Sequence, residues 1–219
     1  MKTILLSCSL WTTFLSNAPL YPITSPIIHY PLHTINYPLP CTGWKLHIEN
    51  RNAKVFVRDC ADSPIKEFKV TDTFFGNFEA LAKVMYDIET TKNISDNCTE
   101  AKILKTLDPQ NSIRYFYFKL PLLSDREVIT KSTIIIQPKR ITCVSNVDES
   151  EQVPLKKDVI RLRQAYASFT FDKLDDGTIS MEYIARTDPN GTIPAWFVNA
   201  LAGREALKML NKLKRLVNH

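Results

Sequence analysis

Glycine is scarce in this chain: five residues in 219, at positions 43, 76, 177, 191 and 203. None stands close enough to another to build a glycine-rich phosphate loop, which excludes the common dinucleotide and nucleoside-triphosphate folds. Histidine is scarcer still, and His29, His33, His47 and His219 are scattered. His29 and His33 have the spacing of paired metal ligands on a helix, but Pro31 between them breaks such a helix, so no metal site is expected. There is no Cys-x-x-Cys pair, no Gly-x-Ser-x-Gly elbow and no cysteine with a histidine nearby. Acyl transfer therefore lacks both nucleophile and base. No catalytic residue, metal or cofactor is expected, and the chain reads as a non-enzyme. Uninterrupted apolar stretches of about 20 residues, the length a membrane-crossing helix needs, are also missing.

The net charge of +5 is mild, 28 basic against 23 acidic residues, and only Lys208, Lys212, Lys214 and Arg215 cluster. Nucleic acid is not an expected partner. That cluster reads as a solvated helix face, or as a surface that dwells on anionic lipid. Residues 1–18 run from Met1-Lys2 through an apolar segment, Thr3 to Leu15, to Ser16-Asn17-Ala18, the order of an export signal. The expected location is outside the cytoplasm, periplasmic or secreted, with an uncleaved membrane anchor as the alternative. Residues 19–43 hold six of the thirteen prolines and read as a semi-rigid linker. Beyond the signal, Cys41, Cys60, Cys98 and Cys143 form an even set that allows three pairings or none. Three Asn-x-Ser/Thr sites begin at Asn93, Asn97 and Asn190.

Residues 44–219 read as one domain. Two-residue alternation marks short strands at Trp44 to Ile48, Lys54 to Arg58 and Phe68 to Val70. Thr71 or Asp72 then caps a helix carrying Phe74, Phe78, Leu81, Met85 and Ile88 at three- and four-residue spacing. Strands return at Ser112 to Leu120, Glu127 to Gln137, Ile141 to Val147, Val159 to Asp172 and Thr178 to Arg186, with Asp175-Asp176-Gly177 as a hairpin turn. From about Pro194 a long amphipathic helix carries Phe197, Leu201, Leu207, Leu210, Leu213 and Val217. This is an α+β pattern of strands, helix, antiparallel meander and terminal helix. Along Glu127 to Gln137, the residues Val128, Thr130, Ser132, Ile134 and Ile136 share the inward face. Ile179, Met181 and Tyr183 share another. A sheet with such faces, closed by a helix, can enclose an apolar ligand.

These elements, with Trp44-Lys45-Leu46, Val55-Phe56-Val57-Arg58, Lys66-Glu67-Phe68-Lys69, Pro121-Leu122-Leu123-Ser124-Asp125-Arg126-Glu127-Val128 and Asp188-Pro189-Asn190-Gly191-Thr192-Ile193-Pro194-Ala195-Trp196-Phe197-Val198-Asn199, resemble the START lipid-transfer domain. The resemblance covers residues 44–219. It implies a helix-grip fold, a curved antiparallel sheet wrapped round a long C-terminal helix with a hydrophobic cavity between, and a lipid as partner, with transient membrane contact and no implied oligomer. The implied ligand-facing residues are Phe78, Arg114, Phe116, Phe118, Val128, Thr130, Ser132, Ile134, Met181, Tyr183, Trp196, Phe197 and Leu201. The implied gate is Leu120, Pro121, Leu122, Leu123 and Ser124. The acidic-basic pair that sterol-type members place inside the tunnel is not matched, because Ser112 to Leu120 holds no carboxylate. Phospholipid, fatty acid and isoprenoid therefore stand beside sterol. Arg114 shares a face with Phe116 and Phe118, either inward toward an acidic head group or outward in solvent. The rival readings on the same fold are a cyclase- or hydrolase-type enzyme and a lipid-responsive interaction module.

Overall fold

A computed structural model describes residues 41–121, 123–151 and 153–218. In chain order the elements are β1 (Lys45–Glu49), β2 (Lys54–Cys60), β3 (Ser63–Phe75), α1 (Phe78–Tyr86), α2 (Ile88–Lys92), β4 (Cys98–Thr106), β5 (Asn111–Phe118), β6 (Asp125–Ile136), β7 (Arg140–Val147), β8 (Val159–Arg161), β9 (Ala165–Lys173), β10 (Thr178–Thr187) and α3 (Ala195–Val217). Nine strands form one curved antiparallel sheet in the order β1-β2-β3-β10-β9-β7-β6-β5-β4, and β8 lies parallel to the start of β6. The terminal helix packs across its concave face, the α+β helix-grip arrangement expected from the sequence.

Three expected boundaries shift. The strand at Phe68 to Val70 extends from Ser63 to Phe75, and α1 is capped by Asn77, whose side chain accepts from the Ala80 amide at 2.8 Å. Residues 70–75, β-branched or aromatic apart from Asp72, follow a two-residue period and pair with β10, which outweighs the helical spacing of Phe74 and Phe78. A strand absent from the sequence reading, β4, fills the interval before β5. Its charged outer residues Glu100, Lys102 and Lys105 suit an edge. The expected strand from Val159 to Asp172 is two, because the chain leaves β8 and re-enters the main sheet as β9.

Register fixes which side chains share the concave face, since partners directly opposite in antiparallel strands point the same way. One row reads Val70, Tyr183, Phe169, Cys143, Ile134 across β3, β10, β9, β7 and β6. The neighbouring row reads Phe68, Ala185, Ala167, Ser145, Ser132, Ser112 and reaches β5. The main core joins Phe74, Ile134, Ile141, Phe171, Ile179 and Met181 of the sheet to Phe78, Leu81, Val84 and Met85 of α1 and Ala206, Leu210, Leu213 and Val217 of α3. Each buried aliphatic side chain there contributes about 1.5–3 kcal/mol by leaving water. The start of α1 meets the end of α3 directly: the Asn77 amide donates to the Val217 carbonyl at 2.9 Å. A Cβ on Gly76 would stand 2.9 Å from Val217 Cγ2, so this close approach needs glycine. A smaller cluster, Ile113, Tyr115 and Ile129, covers the convex face.

Cys41 and Cys60 are joined as a disulfide, while Cys98 and the buried Cys143 are free thiols. Thr42 adds main-chain and side-chain hydrogen bonds to Asp59. Cys41 to Gly43 thus belong to the folded domain rather than to the linker. Among the described residues no helix is long and apolar enough to cross a membrane.

Candidate functional site

The concave face has two halves. Toward the C-terminal half of α3, Phe78, Ile134 and Met181 are buried in the main core. Of the inward set on β6, Ile136 is exposed at the strand end. Toward the N-terminal half of α3 the packing changes. Arg114, Val128, Thr130 and Ser132 are buried there, whereas Phe116, Phe118, Phe68, Phe169 and Tyr183 keep accessible surface. The helix above them begins with Trp196, 71% exposed, and Phe197 and Leu201, also exposed. Its buried positions start only at Gly203. Leu120, Pro121, Leu123 and Ser124 form the β5–β6 turn, with Leu123 exposed; Leu122 lies outside the described residues.

Tyr183 shows what kind of space this is. Burial raises its phenol well above the ordinary value, yet part of its surface stays accessible and its hydroxyl makes no hydrogen bond among the described residues. Tyr183 therefore sits at the border of the main core, packed against it on one side and partly accessible on the other. Its ring stacks on Phe169 at 4.2 Å and meets Phe68 edge-on at 5.6 Å, giving an aromatic wall. The floor beside it is made of small residues, Ser145, Ala167 and Ala185. Finding that floor from sequence requires the strand register, which is why only Ser132 of that row was expected.

Arg114 points inward and is 4% exposed. Its Nε donates to Ser112 Oγ at 3.0 Å, Nη2 to the Tyr86 carbonyl at 3.1 Å and Nη1 to the Met85 carbonyl at 3.5 Å. Those carbonyls end α1, where the helix dipole favours a cation. No carboxylate lies within ion-pair distance among the described residues, and burial lowers the guanidinium's pKa. A guanidinium carries five N–H donors, so three acceptors leave two unmatched. A hydroxyl chain runs alongside: Ser132 Oγ lies 2.8 Å from Ser145 Oγ and 3.3 Å from Thr130 Oγ1. Cys143, on the adjoining row, is pushed up to about 12 by burial and is a neutral thiol.

The two segments with the strongest motif character meet at the mouth. Arg126, buried, donates to the carbonyls of Ser124, Pro189 at 3.1 Å and Asn190 at 3.2 Å. It thereby ties the β5–β6 turn to the loop that launches α3. That loop turns through left-handed backbone at Asn190 and Gly191. Asn199 anchors the helix's first turns from the other side, accepting from the Lys66 amide at 2.9 Å and donating to the Pro64 carbonyl at 3.0 Å. The neighbouring carboxylates Asp125 and Glu127 have other partners. Asp125 accepts from Tyr117, and Glu127 is held on the convex side by Arg161 and Tyr115.

The basic run of α3 is neither free nor simply solvated. Lys208 pairs with Glu205, Lys212 with Asp96 and Lys214 with the buried Asp72. A cleft of about 220 Å³ lies on the convex face beside Ile129, Asp148, Glu149, Glu151 and Arg161. Its charges are already partnered in part, Arg161 with Glu127 and Glu151 with Lys105.

A curved sheet gripping a helix over a half-open, mostly apolar interior defines the helix-grip class. Comparison with known proteins places the chain within it: the START domain family model matches residues 39–219, and the protein belongs to that family. It is 24% identical over 136 residues to the START domain-containing protein 10 of mouse and of human, covering 62% of this chain and 47% of theirs. The chain thus spans about half the length of these curated relatives. It is 20% identical to an uncharacterised protein of Pseudomonas aeruginosa over 78% of this chain and 85% of that one. Among solved structures, human STARD10 superposes with a TM-score of 0.69 at 22% identity, covering 78% of this chain and 73% of that chain. A STAR-related lipid transfer protein fragment from Xanthomonas axonopodis gives 0.70 at 22% identity, covering 80% and 99%.

Proposed function

We propose that this protein binds one hydrophobic lipid beneath the N-terminal half of α3 and carries it between membranes. The observation that carries the reading is the accessible aromatic wall of Phe68, Phe169 and Tyr183, set deep on the concave face under a helix whose first turns are apolar and exposed. Burying an alkyl chain against that wall contributes about 25 cal/mol per Å² before ordering costs. The names of related proteins, which include lipid transfer proteins, support the reading. Trp196, Phe197, Leu201 and Leu123 cluster at the helix start and gate turn and suit contact with a membrane surface. The paired lysines of the helix's far end do not. Burial moves the Tyr183 phenol and the Cys143 thiol up, away from neutral pH, which favours a binder over an enzyme.

Export from the cytoplasm, with residues 1–18 as signal and the stretch up to residue 40 as tether, fits a disulfide at Cys41–Cys60. N-terminal sequencing of the mature protein tests this; an intact Met1 on a soluble protein would count against it. For the lipid itself, native mass spectrometry of the purified full chain, followed by denaturation and identification of released molecules, is the direct experiment. A stoichiometric lipid supports binding. A lipid-free protein that also extracts no labelled lipid from vesicles overturns it.

A further inference from the structure

A row of small residues on the concave face and the buried Arg114 beside it together specify a ligand, given that the protein binds lipid as proposed above. Ser132, Ser145, Ala167 and Ala185 follow one another on β6, β7, β9 and β10, and Ser112 continues the row on β5. Toward the core the row is walled by Ile134, Phe169 and Tyr183, and toward the mouth by the β-branched pair Thr130 and Val147. It is therefore a trough one residue wide running across the strands. Strands lie about 4.8 Å apart, so from β5 to β10 it measures about 19 Å, close to one extended long-chain acyl group.

Arg114 stands at one end of this trough, its Nε on Ser112 Oγ. A buried guanidinium with two unmatched N–H groups is costly unless something negative completes it. A planar fork of donors fits a carboxylate or a phosphate monoester. The Ser132–Ser145–Thr130 hydroxyls, bonded to one another twice, leave one further donor beside it. A hollow of about 20 Å³ lined by Tyr86, Ile103, Asp108, Gln110 and Ser112 adjoins Arg114, room for about one water rather than a bulky head group.

We propose that the ligand is a single-chain anionic lipid, its carboxylate or phosphate monoester seated on Arg114 and its chain laid across the strands over Ser145, Ala167 and Ala185. A row one residue wide takes one chain, so two-chain phospholipids and sterols are expected to bind more weakly.

The test uses the delipidated full chain and five probes: palmitate, lysophosphatidate, hexadecanol, phosphatidylcholine and cholesterol. The charged single-chain probes are expected to bind about tenfold to a hundredfold more tightly than hexadecanol, the difference a charge-assisted bond supplies. Whichever of palmitate and lysophosphatidate binds better reports whether the head is carboxylate or phosphate, and either supports the assignment. Ala167→Leu should weaken both by about tenfold or more while leaving the circular dichroism spectrum unchanged. Arg114→Lys, which keeps the charge and loses the fork, should weaken them as well. Equal binding of hexadecanol, or phosphatidylcholine or cholesterol retained undiminished in Ala167→Leu, overturns the assignment while lipid binding stands. Binding of no probe overturns both. Should Ala167→Leu fail to fold, the head-group comparison on the unaltered protein still decides.

Discussion

Replacing Arg126 by Met removes one side chain and releases two loops at once. The guanidinium donates to the carbonyls of Ser124, Pro189 and Asn190 while only 4% exposed. Hydrogen bonds from a charged donor contribute about 1.5–3 kcal/mol each, and part of that sum is offset because a methionine needs no desolvation of charge. A net loss of about 3–5 kcal/mol follows, a large share of the roughly 5–15 kcal/mol that holds a domain folded. The loss has a location. Asn190 sits at φ 54° and Gly191 at φ 77°, a turn that reverts to commoner backbone once its carbonyls are freed. The loop and the start of α3 then keep the Asn190 side chain on the Arg161 carbonyl, the Asp188 amide on the Gln164 carbonyl and the Asn199 anchor to Lys66 and Pro64. Urea unfolding followed by tryptophan fluorescence and far-ultraviolet circular dichroism measures the first effect. Hydrogen exchange measures the second: amides between residues 186 and 199 should exchange faster, while those around Leu210 and Leu213, buried against the sheet, stay protected. Arg126→Lys should recover only part of the stability, since an ammonium cannot span three acceptors in a fork. A loss below about 1 kcal/mol, the value of one ordinary hydrogen bond, with exchange unchanged would refute the clamp.

Cys41→Ser opens a disulfide that closes 19 residues of chain and should cost about 3 kcal/mol by loop entropy, measured by denaturant midpoint; no difference from the parent is expected once both are reduced. Lys214→Met strips the partner from Asp72, whose side chain is fully buried, and should lower stability by about 3–5 kcal/mol, whereas Asp72→Leu combined with Lys214→Met should restore much of it. Acid should destabilise the protein. The Arg186 fork at 2.6 and 2.7 Å holds the Asp62 carboxyl below the ordinary range, and Lys156 and Lys102 do the same for Glu100. Carboxylates depressed in the folded state contribute their stability fully above the unfolded value and lose it as pH falls through the folded one. The melting temperature should accordingly be flat near neutrality and fall below about pH 4, with a shallower fall in Asp62→Asn.

The order of strands, helix, meander and terminal helix was legible because the sheet's faces alternate cleanly and α3 carries an apolar stripe. Where two periods overlapped, the local pattern misled: Phe74 and Phe78 lie four apart, yet Phe74 is the end of a strand and Phe78 the start of a helix. β4 escaped because an edge strand with Glu100, Lys102 and Lys105 outward resembles a loop in composition. The meeting of Arg126 with Pro189 and Asn190, 63 and 64 residues away, was visible only as two unrelated motifs. The inward aim of Arg114 was one of two readings, and its burial decides between them. The small-residue trough was beyond reach for a plainer reason. Ser145, Ala167 and Ala185 are unremarkable in their own strands and become a feature only when register lines them up.

That register also explains how one sheet both stabilises the fold and leaves room for a guest. The row carrying Asp72, Met181, Phe171 and Ile141 is filled by α1 and the C-terminal half of α3, whose Leu210 and Leu213 are at most 1% exposed. Two rows away the side chains shrink to alanine and serine, while the helix above changes from buried leucines to an exposed Trp196. Stability is therefore concentrated at one end of the molecule. The other end is held mainly by side chains gripping backbone, Arg126 on three carbonyls and Asn199 on two main-chain groups. Polar clamps of this kind keep loops in place without filling the space between them, and a few hydrogen bonds can open and re-form at far lower cost than a packed core can be pulled apart. On the proposed function, entry of a lipid beneath the start of α3 requires the clamps to yield while Leu210, Leu213 and Val217 stay where they are.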